Sequence, residues 1–165
     1  MPSKRVFKDL NDQAYFLTFT IKNWLSILDR HNRWDILLES LKFCKNEKSM
    51  GLFAFVFMFN HIHLIAQCPD MAGFICSFKT HTSKTLIKNI RRTEPTLIKL
   101  LLKSSGGHSV WEKTNMPKIV MKNKFFLQKK QYIENNPVRR RYVELPEHWI
   151  YSSAHVPCLI EIDEQ

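Results

Sequence analysis

Along this chain the spacing of apolar residues switches between the two-residue repeat of strands and the longer repeat of helices. Ala14 to Lys22, A-Y-F-L-T-F-T-I-K, is dense in aromatic and β-branched side chains and predicts a strand. Asp29 or Asn32 can cap a helix whose apolar face is Trp34, Leu37, Leu38 and Leu41, ending near Ser49–Gly51. Leu52 to Met58 is apolar at both parities, the pattern of a central strand covered on both sides. Phe59-Asn60 permits a turn, and His61 to Gln67 reads as the next strand. Pro69-Asp70 opens a second helix with Phe74, Ile75, Phe78 and Ile90 inward and Lys79, Lys84 and Lys88 mostly outward. Thr93-Glu-Pro95 resembles a helix start, with a short helix over Leu97 to Leu102. Ser104 to Gly107 is a loop, and Val110 to Glu112 and Lys118 to Met121 are strand pieces around Pro117. Asn123 caps a last helix carrying Phe125, Phe126, Tyr132 and Ile133, which Asn136-Pro137 ends.

The order β-α-β-β-α-(loop)-β-α predicts an α+β domain of the ferredoxin-like sort, an antiparallel sheet with helices packed on one face. Its 165 residues suit one domain, with residues 1–150 as core and 151–165 as a tail. No run reaches the length of a membrane span, and the first residues lack the apolar stretch of a signal peptide, so a cytoplasmic protein with no membrane partner is expected. Cys44, Cys68, Cys76 and Cys158 form no C-x-x-C pair, which favours free thiols over disulfides or a cysteine zinc site.

Charge narrows the function. The net charge is +10, and residues 71–143 hold sixteen Lys/Arg against Glu94, Glu112 and Glu134, or +13. Residues 1–70 add +2 and the tail from Glu144 onward −5. A concentrated basic stretch is the footprint of a polyanion ligand, although a merely solvated basic surface looks the same in sequence.

Two short patterns could carry chemistry. In His61-Ile62-His63 the two imidazoles point to one side of a strand and can reach one metal ion, although histidines so spaced also occur in ordinary cores. Tyr132 and Asn136 are four apart, one face of a helix. A tyrosine beside a metal-bound phosphate can act as nucleophile, and an asparagine amide oxygen can serve as a third ligand. Tyr132 also falls seven residues after Phe125, as a packed core tyrosine would.

Together these patterns resemble REP-associated tyrosine transposases, the insertion-sequence-200-like single-tyrosine branch of the HUH endonucleases. The resemblance rests on Phe55-Val-Phe-Met-Phe-Asn-His-Ile-His-Leu-Ile65 and Tyr132-Ile-Glu-Asn-Asn-Pro-Val-Arg139. Tyr142-Val143, Leu145-Pro146 and Trp149-Ile-Tyr-Ser-Ser153 continue it. Tyr15 to Thr20 and Ser77 to Ser83 fit in register, so it covers nearly the whole chain.

The resemblance implies an HUH palm that cleaves and rejoins single-stranded or hairpin DNA. Tyr132 would form a 5′-phosphotyrosine, with His61, His63 and Asn136 holding one Mg²⁺ or Mn²⁺ ion. The imidazole pair by itself suits zinc equally. Relatives include monomers and homodimers that exchange the nucleophile helix. Met116 stands where that family often has histidine, a change that would weaken the copy.

Lys122, Lys124, Lys129, Lys130, Arg139, Arg140 and Arg141 crowd the ends of the tyrosine helix and can contact phosphates. Trp24, Trp111 and Phe59 are candidate stacking surfaces, with core packing the alternative for the tryptophans. The rival function is a non-catalytic or inactivated single-stranded nucleic-acid-binding module, which predicts that Tyr132 and the histidines lie far apart. A small zinc hydrolase is weaker, because no carboxylate base stands near His61 in the sequence.

Overall fold

A computed structural model describes residues 12–120 and 123–165. Four strands, β1 (Ala14–Thr20), β2 (Gly51–Phe57), β3 (His61–Gln67) and β4 (Lys118–Ile119), form one sheet in the order β2-β3-β1-β4. All neighbours are antiparallel. Helices α1 (Arg33–Glu47) and α2 (Met71–Thr93) complete the β-α-β-β-α-β order of a ferredoxin-like fold. Helix α3 (Asn123–Glu134) and the short α4 (Asn136–Arg139) follow.

Side-chain alternation divides the strands between two apolar layers. Leu17, Phe19, Leu52, Phe55, Leu64 and Ala66 pack beneath α1 and α2, with Leu37, Leu41, Phe74 and Phe78. Phe16, Val56 and Ile65 point the other way and are covered by Phe126 and Ile133 of α3. Helices therefore cover both faces, correcting the expectation of one helical face. Strand β2 is likewise not central. It closes one end of the sheet and stays buried because α1 and α3 sandwich it and the tail covers its outer edge. The Phe57 N–H donates to Tyr151 O at 2.9 Å, Ser153 N–H to Phe55 O at 2.9 Å, and Asp163 N–H to Leu52 O at 2.8 Å. Pairing an edge in this way removes a template for adding foreign strands.

Other departures are local. The first strand stops at Thr20 because Lys22–Trp24 turn into a 3-10 helix. Asn32 occupies the N-cap of α1 in a left-handed conformation and makes no capping bond, whereas Asp70 does cap α2, accepting from Gly73 N at 2.9 Å. The short helix after α2 is a 3-10 helix over Pro95–Leu101. Around Val110–Glu112 a single bridge, Ile21 to Trp111, replaces the expected strand. Lys79 turns inward to donate to Glu112 O at 2.6 Å and Lys113 O at 3.2 Å, which ties that loop to α2. Met121 lies outside the described residues. Among the described residues no helix is long and apolar enough to cross a membrane.

Candidate active site

Strand parity sends Ile62 and Leu64 into the layer under α1 and α2, so His61 and His63 face α3. Their ring centroids are 4.7 Å apart, and both rings are nearly covered. His63 Nδ1 lies 2.9 Å from Oγ1 of Thr18, its cross-strand neighbour on β1. His61 Nδ1 lies 2.7 Å from Asn60 Oδ1, while the amide nitrogen of Asn60 donates to Trp24 O at 3.3 Å. An amide oxygen only accepts, so the His61 proton sits on Nδ1 and Nε2 keeps its lone pair. Burial, reinforced by Arg140, holds His61 down to about 4. Burial, with His61, Lys129 and Arg140, holds His63 down to about 3. Both rings are neutral at physiological pH, the form that ligates metals.

Helix α3 is seated by Phe126 and Ile133, and this sets the height of Tyr132 above the sheet. The Tyr132 ring lies 5.5 Å from the His63 ring and 6.0 Å from Phe16. Lys129 Nζ and Arg139 Cζ stand over it at 5.4 and 5.0 Å. The helix breaks at Asn135, so Asn136 opens α4 rather than continuing α3. Asn136 is 6% exposed, yet its side chain makes no hydrogen bond with the described residues. Tyr132, His61, His63 and Asn136 all line one cavity of about 510 Å³. The large separation predicted by a non-catalytic module is not found.

This donor set, two neutral imidazole nitrogens and one amide oxygen, can hold a divalent ion and leave positions open for substrate oxygens. Among the described residues no group of three His, Cys, Asp or Glu could do so. With no charged ligand, binding would rest on the geometry that Thr18 and Asn60 impose on the rings.

Lys129, Arg139 and Arg140 line the same cavity. Lys124, Lys130 and Arg141 do not, and Lys130 borders a separate hollow beside Phe126 and Asp163. Lys122 lies outside the described residues. Trp24 stands at the cavity rim, Trp111 is buried against Phe19 and Phe78, and Phe59 packs with Trp34, Tyr142 and Trp149. Thr18, Lys118 and Met116 also reach the cavity. No sequence signal marks Thr18, because cross-strand register is not written in either segment alone. Only the family resemblance marks Met116.

No family model matches the chain. A Haemophilus influenzae protein described as a "Putative REP-associated tyrosine transposase" is 31% identical over 107 residues, covering 62% of this chain. The matched region spans 58% of that relative's length. A solved structure of a REP-associated tyrosine transposase bound to a REP hairpin superposes with a TM-score of 0.71 at 17% identity, covering 93% of this chain and 82% of the other. A Deinococcus radiodurans structure described as a putative transposase gives a TM-score of 0.50 at 20% identity, covering 82% and 97%. In sequence the likeness is to part of the Haemophilus protein, and in fold it is to the hairpin-bound structure: this chain is similar to REP-associated tyrosine transposases.

Proposed function

We propose that this chain is a REP-associated tyrosine transposase that cuts and rejoins single-stranded DNA beside a hairpin, with Tyr132 as nucleophile. The observation that carries the reading is the convergence of Tyr132, the neutral histidine pair and Asn136 on one cavity edged by Lys118, Lys129, Arg139 and Arg140. Neither the fold nor the charge alone would require that convergence.

The cations hold the phosphates flanking the scissile bond, and the half-buried Tyr132 side chain lines the cavity beside them. The Tyr132 oxygen forms a bond to phosphorus, its proton passes to water in the open cavity, and the P–O3′ bond breaks. The departing 3′-oxygen takes a proton from water, so the upstream strand leaves with a 3′-hydroxyl and the downstream strand stays on Tyr132 through its 5′-phosphate. Attack of a 3′-hydroxyl on that phosphotyrosine reverses the step, so no external energy source is needed. His61, His63 and Asn136 would hold one Mg²⁺ or Mn²⁺ ion, which when bound supplies Lewis acidity to the phosphoryl oxygens. Within one chain the histidine strand and the tyrosine helix line the same cavity.

The test is covalent trapping. End-labelled hairpin DNA incubated with the full chain and Mn²⁺ should give an adduct on a denaturing gel, and peptide mapping should place it on Tyr132. Tyr132→Phe should bind DNA and give none. An adduct that survives this change, or maps to another tyrosine, overturns the reading.

A further inference from the structure

Trp24 is the one described tryptophan that points outward, at 62% exposure, whereas Trp111 is buried and Trp34 and Trp149 are partly covered. A lone exposed aromatic ring is ordinary on a protein surface. Its backbone and its position are not. Asn23 and Trp24 have φ of +56° and +55°, two successive non-glycine residues in the left-handed region, which side chains rarely adopt. The surrounding structure enforces this turn. Trp24 N–H donates to Ile21 O at 2.9 Å, Asn23 N–H to Glu112 Oε1 at 2.9 Å and Lys22 N–H to Val110 O at 2.7 Å. Asn60, which also holds His61, donates to Trp24 O at 3.3 Å. A turn bound from three sides thus presents an indole at the rim of the cavity.

The order of rings across the cavity gives that indole a role. Tyr132 lies 5.5 Å from His63, His63 lies 4.7 Å from His61, and His61 lies 6.4 Å from Trp24. Tyr132 and Trp24 therefore flank the histidine pair from opposite ends. In phosphoryl transfer the attacking and leaving oxygens stand roughly in line on opposite sides of phosphorus. With attack from the Tyr132 end, the departing 3′-oxygen and its nucleotide lie toward Trp24.

We propose that Trp24 is a stacking platform for the unpaired base immediately 5′ of the scissile phosphate, the nucleotide that leaves with the 3′-hydroxyl. The assignment rests on the function proposed above. Trp24 is a positioning residue: it orients the leaving nucleotide and touches no reacting atom. Stacking on an indole tolerates any base, so this contact supplies affinity and alignment while leaving sequence choice to other contacts.

The test uses the full chain carrying Tyr132→Phe, so that bound DNA is not cut. Titration with single-stranded oligothymidylate should quench tryptophan emission, and an abasic oligonucleotide with the same phosphates should bind without quenching. Trp24→Leu should abolish the quench, and Trp24→Phe should retain most of the affinity. In a hairpin whose cut has been mapped by covalent trapping, removing the base 5′ of the cut should weaken binding about tenfold. The same removal should cost nothing once Trp24→Leu is present. DNA binding without quenching, or an equal abasic penalty with and without Trp24, overturns the platform while a Tyr132 adduct leaves the transposase reading intact. Emission that follows protein concentration rather than DNA would assign the ring to a contact between copies and also overturn it. Absence of DNA binding altogether overturns both readings.

Discussion

Arg33, the first residue of α1, is completely buried, and its partners make its charge a sensitive place to perturb the fold. Its guanidinium donates to Ile27 O at 2.7 Å, Asn89 Oδ1 at 2.9 Å and Thr93 Oγ1 at 3.0 Å, and lies 2.6 Å from Glu94 Oε2. Arg30 Nε contacts both Glu94 oxygens at 3.0 Å. Glu94→Gln removes the negative charge and leaves the shape. Breaking a fully buried pair costs roughly 3–5 kcal/mol. Glu94 keeps 24% of its side chain exposed and glutamine still accepts hydrogen bonds, so the expected loss is lower, about 2–3 kcal/mol. In a chain of this length that corresponds to a fall in Tm of roughly 5–10 °C.

The pH dependence has a definite sign. Burial alone would raise the Glu94 carboxyl, but the hydrogen bonds and charges of Arg33 and Arg30 outweigh it and hold the group below its ordinary 4.5. Its contribution is therefore complete above 4.5 and is lost as pH falls through the lower folded value. Urea unfolding of wild type and Glu94→Gln across the acid range reads both effects, with the gap closing in acid. A neutral-pH difference within about 0.5 kcal/mol, or a gap that stays constant into strong acid, would refute the reasoning. The network matters to the site because Ile27 and Leu28 donate to Phe59 O, at 3.1 and 3.0 Å, in the turn that feeds His61.

Three further outcomes follow from the cavity. Thr18→Val removes the hydroxyl 2.9 Å from His63 Nδ1 and should lower Mn²⁺ affinity by about 10–100-fold with unchanged circular dichroism; equal affinity would remove Thr18 from the ligand's support. Replacing Lys129, Arg139 and Arg140 together by alanine should flatten the slope of log K against log salt for single-stranded DNA by about 2, whereas Lys130→Ala, outside the cavity, should leave it unchanged. Met116 is half-exposed on the cavity wall, so Met116→His should raise adduct yield in the trapping assay, and no change would mean that this position has no part in the step.

Much of the fold was legible because its signals are local. β3 is bounded by Asn60 and Pro69, and its heteroatoms fall on one parity, so its span and the shared face of the histidines could be read directly. The second helical layer was also written in the sequence, in the apolar residues at both parities of β2, but that pattern does not say which element supplies the cover. The same pattern fits a central strand, whereas here α3 and the tail do the covering at the end of the sheet. Charge was the least resolved signal. Seven cations lie close in sequence around α3, yet helix geometry turns Lys129 into the cavity and the neighbouring Lys130 away from it.

The four tyrosines differ in surroundings that a spacing argument alone does not capture. The four-residue spacing to Asn136 points to Tyr132 on the premise of one continuous helix, but the helix breaks at Asn135 and α4 carries the asparagine. What brings both into one cavity is Pro137 and Asn136, buried at the junction, together with Ile133 anchored in the sheet layer. The surroundings of the other three weigh against each as the proposed nucleophile. Tyr15 belongs to the opposite layer, and burial raises its hydroxyl. Tyr142 is stacked 5.7 Å from Trp149 and 4.6 Å from Phe59. Tyr151 donates to Asp35 Oδ1 at 2.6 Å, and burial together with that carboxylate pushes it up to about 12. The proposed nucleophile needs room for a phosphate, cations to hold it and donors for a metal, and among the tyrosines Tyr132 alone lines the cavity that also holds Lys129, Arg139, Arg140 and the histidine pair.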